Sequence, residues 1–395
     1  MHDARSRPRW TVGWVLYALV EAPVVAAVAV GVASPYLPPR AFWWAQLVAI
    51  GLPYAAWALA AATLPWLLGR RWRALAVHAL LLVIVLWRAG GPSRLASPEA
   101  APGDLVVTSF NLPQSGPSAE ALGDSVVAYV EATEPDLLLM QDARVVARSA
   151  RRRRASEAIQ VEVVHTRLPY DLVLPAQLAG RRSGTTNATD VPFFVRRGAG
   201  IEVLDQRALA VGAEPGLDAS LALRTHLRWG GREAVVYNIH LRSFGSPKPW
   251  DDPAVSLWSP STWRPYLRTY RTVYAQRGIE TERIARAIDE ETLPVIIGGD
   301  FNSTADNWSY RRLRTAGGVD RIDAAQAVGP GWGRTYRADR PLVRIDFVLV
   351  DPAFEVTSAA TAAVGFSDHR PVRTTLRWRD AAPADVTPEA GGDAE

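Results

Sequence analysis

Six short segments hold the side chains that could do chemistry in this chain. They are Phe110-Asn111, Gln141-Asp142, Asn238-Ile239-His240-Leu241, Gly299-Asp300-Phe301-Asn302, Arg344-Ile345-Asp346 and Ser367-Asp368-His369-Arg370-Pro371-Val372. Carboxylate and amide oxygens such as those of Asp142 and Asn111 are the donors a hard divalent cation prefers. Histidine is the side chain that changes charge near neutrality, and a carboxylate partner fixes its tautomer and stabilises its cation. Taken singly, each segment also fits a plain structural role, because Asp-Phe-Asn after a strand makes an Asx turn and Ser-Asp-His caps a helix. Six of them at the ends of apolar runs within one region are a different matter, since strand termini are where a scaffold displays reactive groups. The absence of cysteine from the 395 residues excludes disulfides, thiolate zinc or iron–sulfur ligation and a cysteine nucleophile.

The elements that must position these groups are short, β-branched apolar runs. They fall at Leu105–Phe110, Leu137–Met140, Pro192–Val195, Ala234–Ile239, Val295–Ile297 and Ile345–Val350, each bounded by turn formers, as buried strands are. Helical patterns lie at Ala119–Ala132 and Tyr266–Glu290. Composition therefore predicts a sheet-rich α/β or α+β domain over residues 104–379. With 48% hydrophobic residues and a net charge of only +4, the bulk of the chain is not intrinsically disordered.

Residues 1–90 read differently. Three apolar stretches, Val12–Ala33, Ala41–Leu68 and Ala74–Trp87, predict a membrane anchor of three transmembrane helices, the third of them short. Arg5, Arg7 and Arg9 precede the first, and Arg70, Arg71 and Arg73 separate the second from the third. By the positive-inside rule the N-terminus and the Gly69–Arg73 loop are expected in the cytoplasm, which puts the large domain outside a multi-pass cell-membrane protein. Glu21 and His78 fall at membrane depth, where a charged group usually finds a partner. Residues 91–103 read as a Gly/Pro/Ser linker, and 380–395 as a disordered acidic tail.

The order and wording of the six segments resemble the endonuclease/exonuclease/phosphatase superfamily. It includes DNase I-like nucleases, exonuclease III-like repair enzymes, inositol polyphosphate 5-phosphatases and neutral sphingomyelinases. The resemblance runs over residues 105–378 and is sharpest at Gly299-Asp300-Phe301-Asn302, Arg344-Ile345-Asp346 and Ser367-Asp368-His369-Arg370-Pro371-Val372. It implies a four-layer αββα sandwich with the site at one edge of the sheets. The anchor followed by an outer domain is similar to the bacterial membrane-anchored branch that includes VanJ-type proteins.

What the resemblance implies for the residues is a metal-dependent phosphoric ester hydrolase. Such chemistry needs charge neutralisation on the phosphoryl oxygens, an activated water and stabilisation of the leaving oxygen. Asn111, Asp142 and Asp368 would hold Mg2+ or Mn2+. Asp300 and Asn302 would position and activate the water, His369 with Asp346 would form the oriented imidazole, and His240 would bond the phosphate or assist departure. Asn238 and Arg344 would contact substrate. One position departs from the family pattern: Gln141-Asp142 stands where Gln-Glu is usual, so the carboxylate retreats by about one bond, roughly 1.5 Å. A cation demanding ligands near 2.1 Å is sensitive to that loss.

Three substrate readings remain open from sequence. One is an outer-face phosphohydrolase acting on a phosphate ester or pyrophosphate, lipid-linked, with residues 12–87 in the bilayer. Another is an anchored nuclease, for which a basic groove would be needed; the outer domain is roughly charge-balanced and its one basic run is Arg151–Arg154. The third is a non-catalytic binding module on a decayed scaffold. After His240, Trp250, Trp258, Trp263, Tyr266 and Tyr270 alternate with Arg264, Arg268 and Arg271. That stretch is either a loop packed on the domain or an interfacial lip, since Trp and Tyr favour the headgroup level.

Overall fold

The computed structural model describes residues 12–88, 101–112, 119–143, 145–146, 163–175, 187–189, 191–212, 221–245, 248–249, 252–256, 258–328, 333–340 and 342–379. Arg5, Arg7 and Arg9, residues 91–100 of the expected linker, Arg151–Arg154, Trp250 and the expected tail 380–395 lie outside the described residues.

Two six-stranded sheets form the large domain, with β3 (Val145–Val146) and β5 (Asn187–Thr189) paired separately. The first contains β1 (Leu105–Asn111), β2 (Leu137–Gln141), β4 (Tyr170–Val173), β6 (Phe193–Arg196), β13 (Phe354–Thr361) and β14 (Val372–Trp378), in the order β13-β14-β1-β2-β6-β4. The second contains β7 (Ile201–Ala210), β8 (Leu221–Trp229), β9 (Arg232–His240), β10 (Val295–Asp300), β11 (Ile322–Asp323) and β12 (Asp346–Val350), in the order β11-β12-β10-β9-β8-β7.

Side-chain alternation along these strands builds the layers. Leu137 and Leu139 meet Val236, Ile296 and Val348 in the apolar layer between the sheets. The intervening Leu138 and Met140 pack outward on α5 (Ala119–Thr133) through Val126 and Val130. On the other side Val235, Tyr237, Val295, Ile297 and Leu349 face the long helix Pro260–Asp289 through Ile284, Ala285 and Ile288. Strands buried on both faces explain the continuous apolar runs. The expected four-layer order of helix, sheet, sheet and helix is what the chain forms.

Two glycines let the sheets close. A Cβ on Gly298 would lie 2.7 Å from Leu139 Cδ2 of the facing sheet. Gly299 has φ +150°, and a Cβ there would stand 1.9 Å from the Ile239 carbonyl oxygen on the neighbouring strand, so no side chain fits.

The N-terminal region departs from the expectation of three transmembrane helices. Among the described residues, one helix is long and apolar enough to cross a membrane, α1 (Val12–Ala33) continued by a 3-10 turn to Tyr36. The stretch Ala41–Leu68 is not one straight helix but two, α2 (Pro39–Ile50) and α3 (Leu52–Leu68), bent by 60°. Pro53, which cannot donate a helical hydrogen bond, follows Gly51 at the break. The third, α4 (Trp72–Arg88), has 17 residues, about 26 Å of helix. At the core of this bundle the Trp66 indole donates to both oxygens of Glu21 (2.8 Å each), and His78 Nε2 lies 3.7 Å from the same carboxylate.

The bend turns α2 onto the large domain. It lies against the long helix, where Gly278 admits Pro39. Gln46 accepts from the backbone N–H of Trp308 (2.9 Å), and Asn307 Nδ2 donates to the Gln46 carbonyl (2.9 Å). Arg88 at the end of α4 pairs with Asp306 at 3.1 Å. The apolar helices are thus docked on the segment that follows Asn302.

Candidate active site

The polar groups gather because the alternation that fills the inter-sheet layer with Leu and Val continues to the strand ends. Residues 105, 107, 109 and 111 of β1 share one side, as do 137, 139 and 141 of β2. The same rule sends Asn238 and His240 inward from β9, Asp300 from β10 and Asp346 from β12. Register then aligns them: Asp300 sits opposite His240 on one side and Asp346 on the other, while Asn111 sits opposite Gln141 in the facing sheet. One end of the core layer is therefore polar by construction.

Asp300 is the hub, with 1% of its surface exposed. Its Oδ2 accepts from Asn111 Nδ2 across the sheets (2.9 Å) and from Asn302 Nδ2 (3.1 Å). Its Oδ1 accepts the Asn302 backbone N–H (2.7 Å), which closes a turn with Asn302 at φ +45°. The Asn302 amide also donates to the Leu241 carbonyl (2.8 Å), tying this turn to the one after His240. The imidazoles approach from either side, His240 Nε2 at 3.8 Å and His369 Nε2 at 3.9 Å from Asp300 Oδ2.

His369 is held on two counts. Its Nδ1–H donates to Asp346 (3.0 Å to Oδ2), and its backbone N–H donates to Ser367 Oγ (3.0 Å). Ser367 Oγ–H in turn donates to the Asn111 carbonyl (2.9 Å), so the last segment is pinned to the end of β1. The Tyr336 ring lies against the imidazole, 4.9 Å between centroids. Thr335 Oγ1 accepts from the backbone N–H groups of Ile345 and Asp346, fixing where β12 begins.

The electrostatics follow from burial and proximity. Burial raises Asp300 to about 6, Asp346 adds to the rise, and His369 and His240 oppose it. For His369, burial alone would lower the basicity, but the Asp346 charge and hydrogen bond, then Asp300 and Asp368, outweigh it and bring it to about 9. A carboxyl that ionises near 6 thus faces an imidazole that keeps its proton to about 9, and divergence of this kind marks acid and base partners.

The structure brings Asn111, Asp142, His240, Asp300, Asn302, Asp346 and His369 together. Asp142 has φ +56°, and its carboxylate sits 3.7 Å from His240 Nδ1. The ligating atoms of Asp300, Asp346 and His369 lie within 4.8 Å of one another, whereas Asp368 is exposed and stands outside that triple.

Two expected substrate contacts have another task. Asn238 is fully buried: its Nδ2 donates to the carbonyls of Met140, Val191 and Pro192, and its Oδ1 accepts from Gln141 Nε2 (2.8 Å). It cross-braces the two sheets beneath the site. The Arg344 guanidinium is bidentate to Asp323 (2.8 and 2.6 Å) and packs on Phe347.

Sequence reasoning also missed the support below His240. Arg277 and Glu280, fully buried on the long helix, hold the next turn: Arg277 donates to the Arg242 carbonyl, and Glu280 accepts the Arg242 backbone N–H (2.8 Å). No spacing flags them, since charges on a helix usually face water. Of the expected lip, Trp258 is 93% exposed, whereas Tyr270 is buried against Phe244.

Residues 109–369 match the model of the Endonuclease/Exonuclease/phosphatase family. Among solved structures the chain is similar to the endonuclease/exonuclease/phosphatase from Bacteroides vulgatus, at 19% identity over 70% of this chain and 99% of that one, with a TM-score of 0.48. It is similar to the human nocturnin catalytic domain with bound sulfate, at 15% identity over 71% and 96%, TM-score 0.46. It is also similar to a mannosyl-6-phosphatase from Bacteroides thetaiotaomicron, at 18% identity over 69% and 100%, TM-score 0.45. No curated protein sequence matches.

Proposed function

The chain belongs to the endonuclease/exonuclease/phosphatase family of phosphoester hydrolases, and from that premise we propose that its Asp300-centred cluster cleaves a phosphate ester or pyrophosphate carried by a membrane lipid. The observation that carries the chemistry is the convergence on Asp300 of Asn111, Asn302, His240 and His369, two of them across the sheets from their partners.

The donor set fits a hard divalent cation. Two buried carboxylates, Asp300 and Asp346, stand side by side, the Asp346 charge opposes ionisation of Asp300, and a cation relieves that opposition. Asn111, Asp142, Asp300 and Asp346 offer the oxygen ligands that Mg2+ prefers. Bound there, the ion supplies charge neutralisation on the phosphoryl oxygens and lowers the pKa of water.

The residues divide the remaining work. Asp300, ionised above about 6, takes the proton of the water that attacks phosphorus. The bond from phosphorus to the leaving oxygen breaks, and that oxygen receives its proton from imidazolium, for which His369, protonated to about 9, is the available donor. Asp346 keeps His369 in the tautomer that presents Nε2–H to the site. The Asn302 and Asn111 amides position Asp300, and His240 stands across from His369 to bond the phosphoryl group.

The lipid assignment is supported by the docking of the apolar helices on residues 306–308, four to six residues after Asn302. The test is a hydrolysis panel on the full chain, with Mg2+ and with chelator: a phospholipid and a polyprenyl pyrophosphate in vesicles, an inositol phosphate and plasmid DNA. Metal-dependent turnover of a lipid substrate supports the reading. Turnover confined to DNA makes the protein an anchored nuclease, and none at all favours a binding module.

A further inference from the structure

A cavity of about 430 Å³ lies where α3 and α4 meet the large domain. Its helix wall is apolar and hollowed by small side chains, Ala49, Ala56 and Ala60, facing Leu82, Val85 and Leu86. Its domain wall is made by Thr304–Asp306 and Leu342–Arg344. Thr304 is two residues beyond Asn302, and Arg344 is two residues before Asp346. At 3.8 Å per residue, both segments are within about 8 Å of chain from the catalytic cluster. The cavity and the cluster are two sides of the same pair of loops.

We infer that this cavity takes the hydrocarbon chain of a lipid whose phosphate lies at the Asp300 cluster. The inference rests on the phosphoester-hydrolase reading and names the part of the substrate that reading leaves open. Three observations favour a lipid chain over a soluble ligand. The volume is within the range of ligand pockets, about 300–1,000 Å³, while the helix wall offers almost nothing to hydrogen-bond. The apolar surface continues outward: Trp57 and Leu86, which line the cavity, are 68% and 66% exposed, and Trp87 beside them is 80% exposed. A chain lying along the outside of these helices therefore enters without crossing a polar barrier. Finally, four arginines line the cavity, Arg314, Arg334 and Arg344 on the domain side and Arg88 at the end of α4, with Asp306 as the one acidic lining residue. Arg88 is paired with Asp306, Arg344 with Asp323 and Arg314 with Asp320, and the Arg334 guanidinium lies over the Tyr54 ring. An apolar slot rimmed by arginine guanidinium groups matches an alkyl chain that ends in phosphate.

The experiment uses the full chain in nanodiscs with p-nitrophenyl alkyl phosphate diesters, alkyl chains from one to ten carbons, kept below their critical micelle concentrations. Burial of a methylene is worth about fourfold in affinity, so kcat/KM should climb by up to about fourfold per carbon and then level as the slot fills. Ala60→Phe, which fills the slot, should flatten the climb and leave the methyl ester unchanged. Ala61→Phe adds the same bulk one residue along α3, outside the lining, and should keep the climb. Val85→Phe repeats the test from the facing helix should Ala60→Phe not fold. A flat series in the wild type, or an unaltered climb in both filled variants, overturns the inference. Calorimetric binding of decyl phosphate separates the two levels. Tight binding that Ala60→Phe abolishes, without turnover of any ester, keeps the cavity and sinks the hydrolase reading. Turnover of the methyl ester with no binding gain from the longer chain does the reverse.

Discussion

Replacing Asp346 by asparagine keeps the shape of the site and removes one charge. In the native protein His369 Nδ1–H donates to both Asp346 oxygens, at 3.0 and 3.2 Å, with 7% of the histidine exposed. Burial by itself lowers imidazole basicity, and without Asp346 only the Asp300 and Asp368 charges oppose it, so the ring should titrate well below about 9. The rise from the ordinary 6.5 to about 9 corresponds to roughly 3 kcal/mol of preference for the protonated ring, of which Asp346 is the largest favourable cause. The same change removes one of the two causes that raise Asp300, leaving burial, so its carboxyl should move down from about 6 toward the usual carboxylate range. The assay is a carbon–proton NMR titration of the histidines in chelated protein, followed by rates with Mg2+. The variant should lose its imidazolium near neutrality and with it about 10²-fold or more of turnover, the ordinary worth of a general acid. Stability adds a check of sign. A group whose folded pKa is raised contributes fully below its unfolded value and loses that contribution as pH rises through the folded one. The wild-type advantage over the variant in chelated protein should therefore be greatest below about pH 6.5 and narrow toward pH 9. A His369 resonance titrating at the same pH in both proteins would refute the reasoning.

Other changes probe the scaffold and the metal. Gly299→Ala places a Cβ 1.9 Å from the Ile239 oxygen and should cost roughly 3 kcal/mol or more in a denaturant melt. Asn238→Ala strips the brace between the sheets and should lower stability by roughly 2–3 kcal/mol while changing KM less than tenfold; a large KM effect at full stability would return Asn238 to substrate binding. Asp142→Glu restores the longer carboxylate and should raise apparent Mg2+ affinity in activity titrations. Lower activity in that variant would show a pocket built around aspartate.

Much of the fold could be read from the chain because its strands are buried on both faces and carry unbroken apolar runs. Leu105–Phe110, Ala234–Ile239 and Ile345–Val350 each fall within a residue or two of β1, β9 and β12. The hairpin of β7 and β8 escaped notice because charged residues such as Arg224 and Arg228 alternate along it on a wetter face. The strand-end residues were identifiable by type, and period-two alternation accounts for their convergence. What alternation does not reveal is depth: Asn238 points the same way as His240 but sits one pair farther in, where the facing Gln141 amide meets it. The Arg344 partner, Asp323, is 21 residues away on a two-residue strand, a pairing only the tertiary fold creates. In the N-terminal region composition measured apolar length but not direction, and Pro53 after Gly51 turned an expected span into a bent pair.

The central claim, that a cluster built on Asp300 hydrolyses a phosphoester, is most directly tested by Asp300→Asn. Asparagine fills the same space and its amide oxygen can still accept the Asn302 backbone N–H, so the fold should persist by circular dichroism and melting temperature. Hydrolysis of a simple phosphodiester with saturating Mg2+ should fall by about 10²-fold or more, as expected for loss of a general base. Wild-type rates retained in a folded Asp300→Asn protein would contradict it.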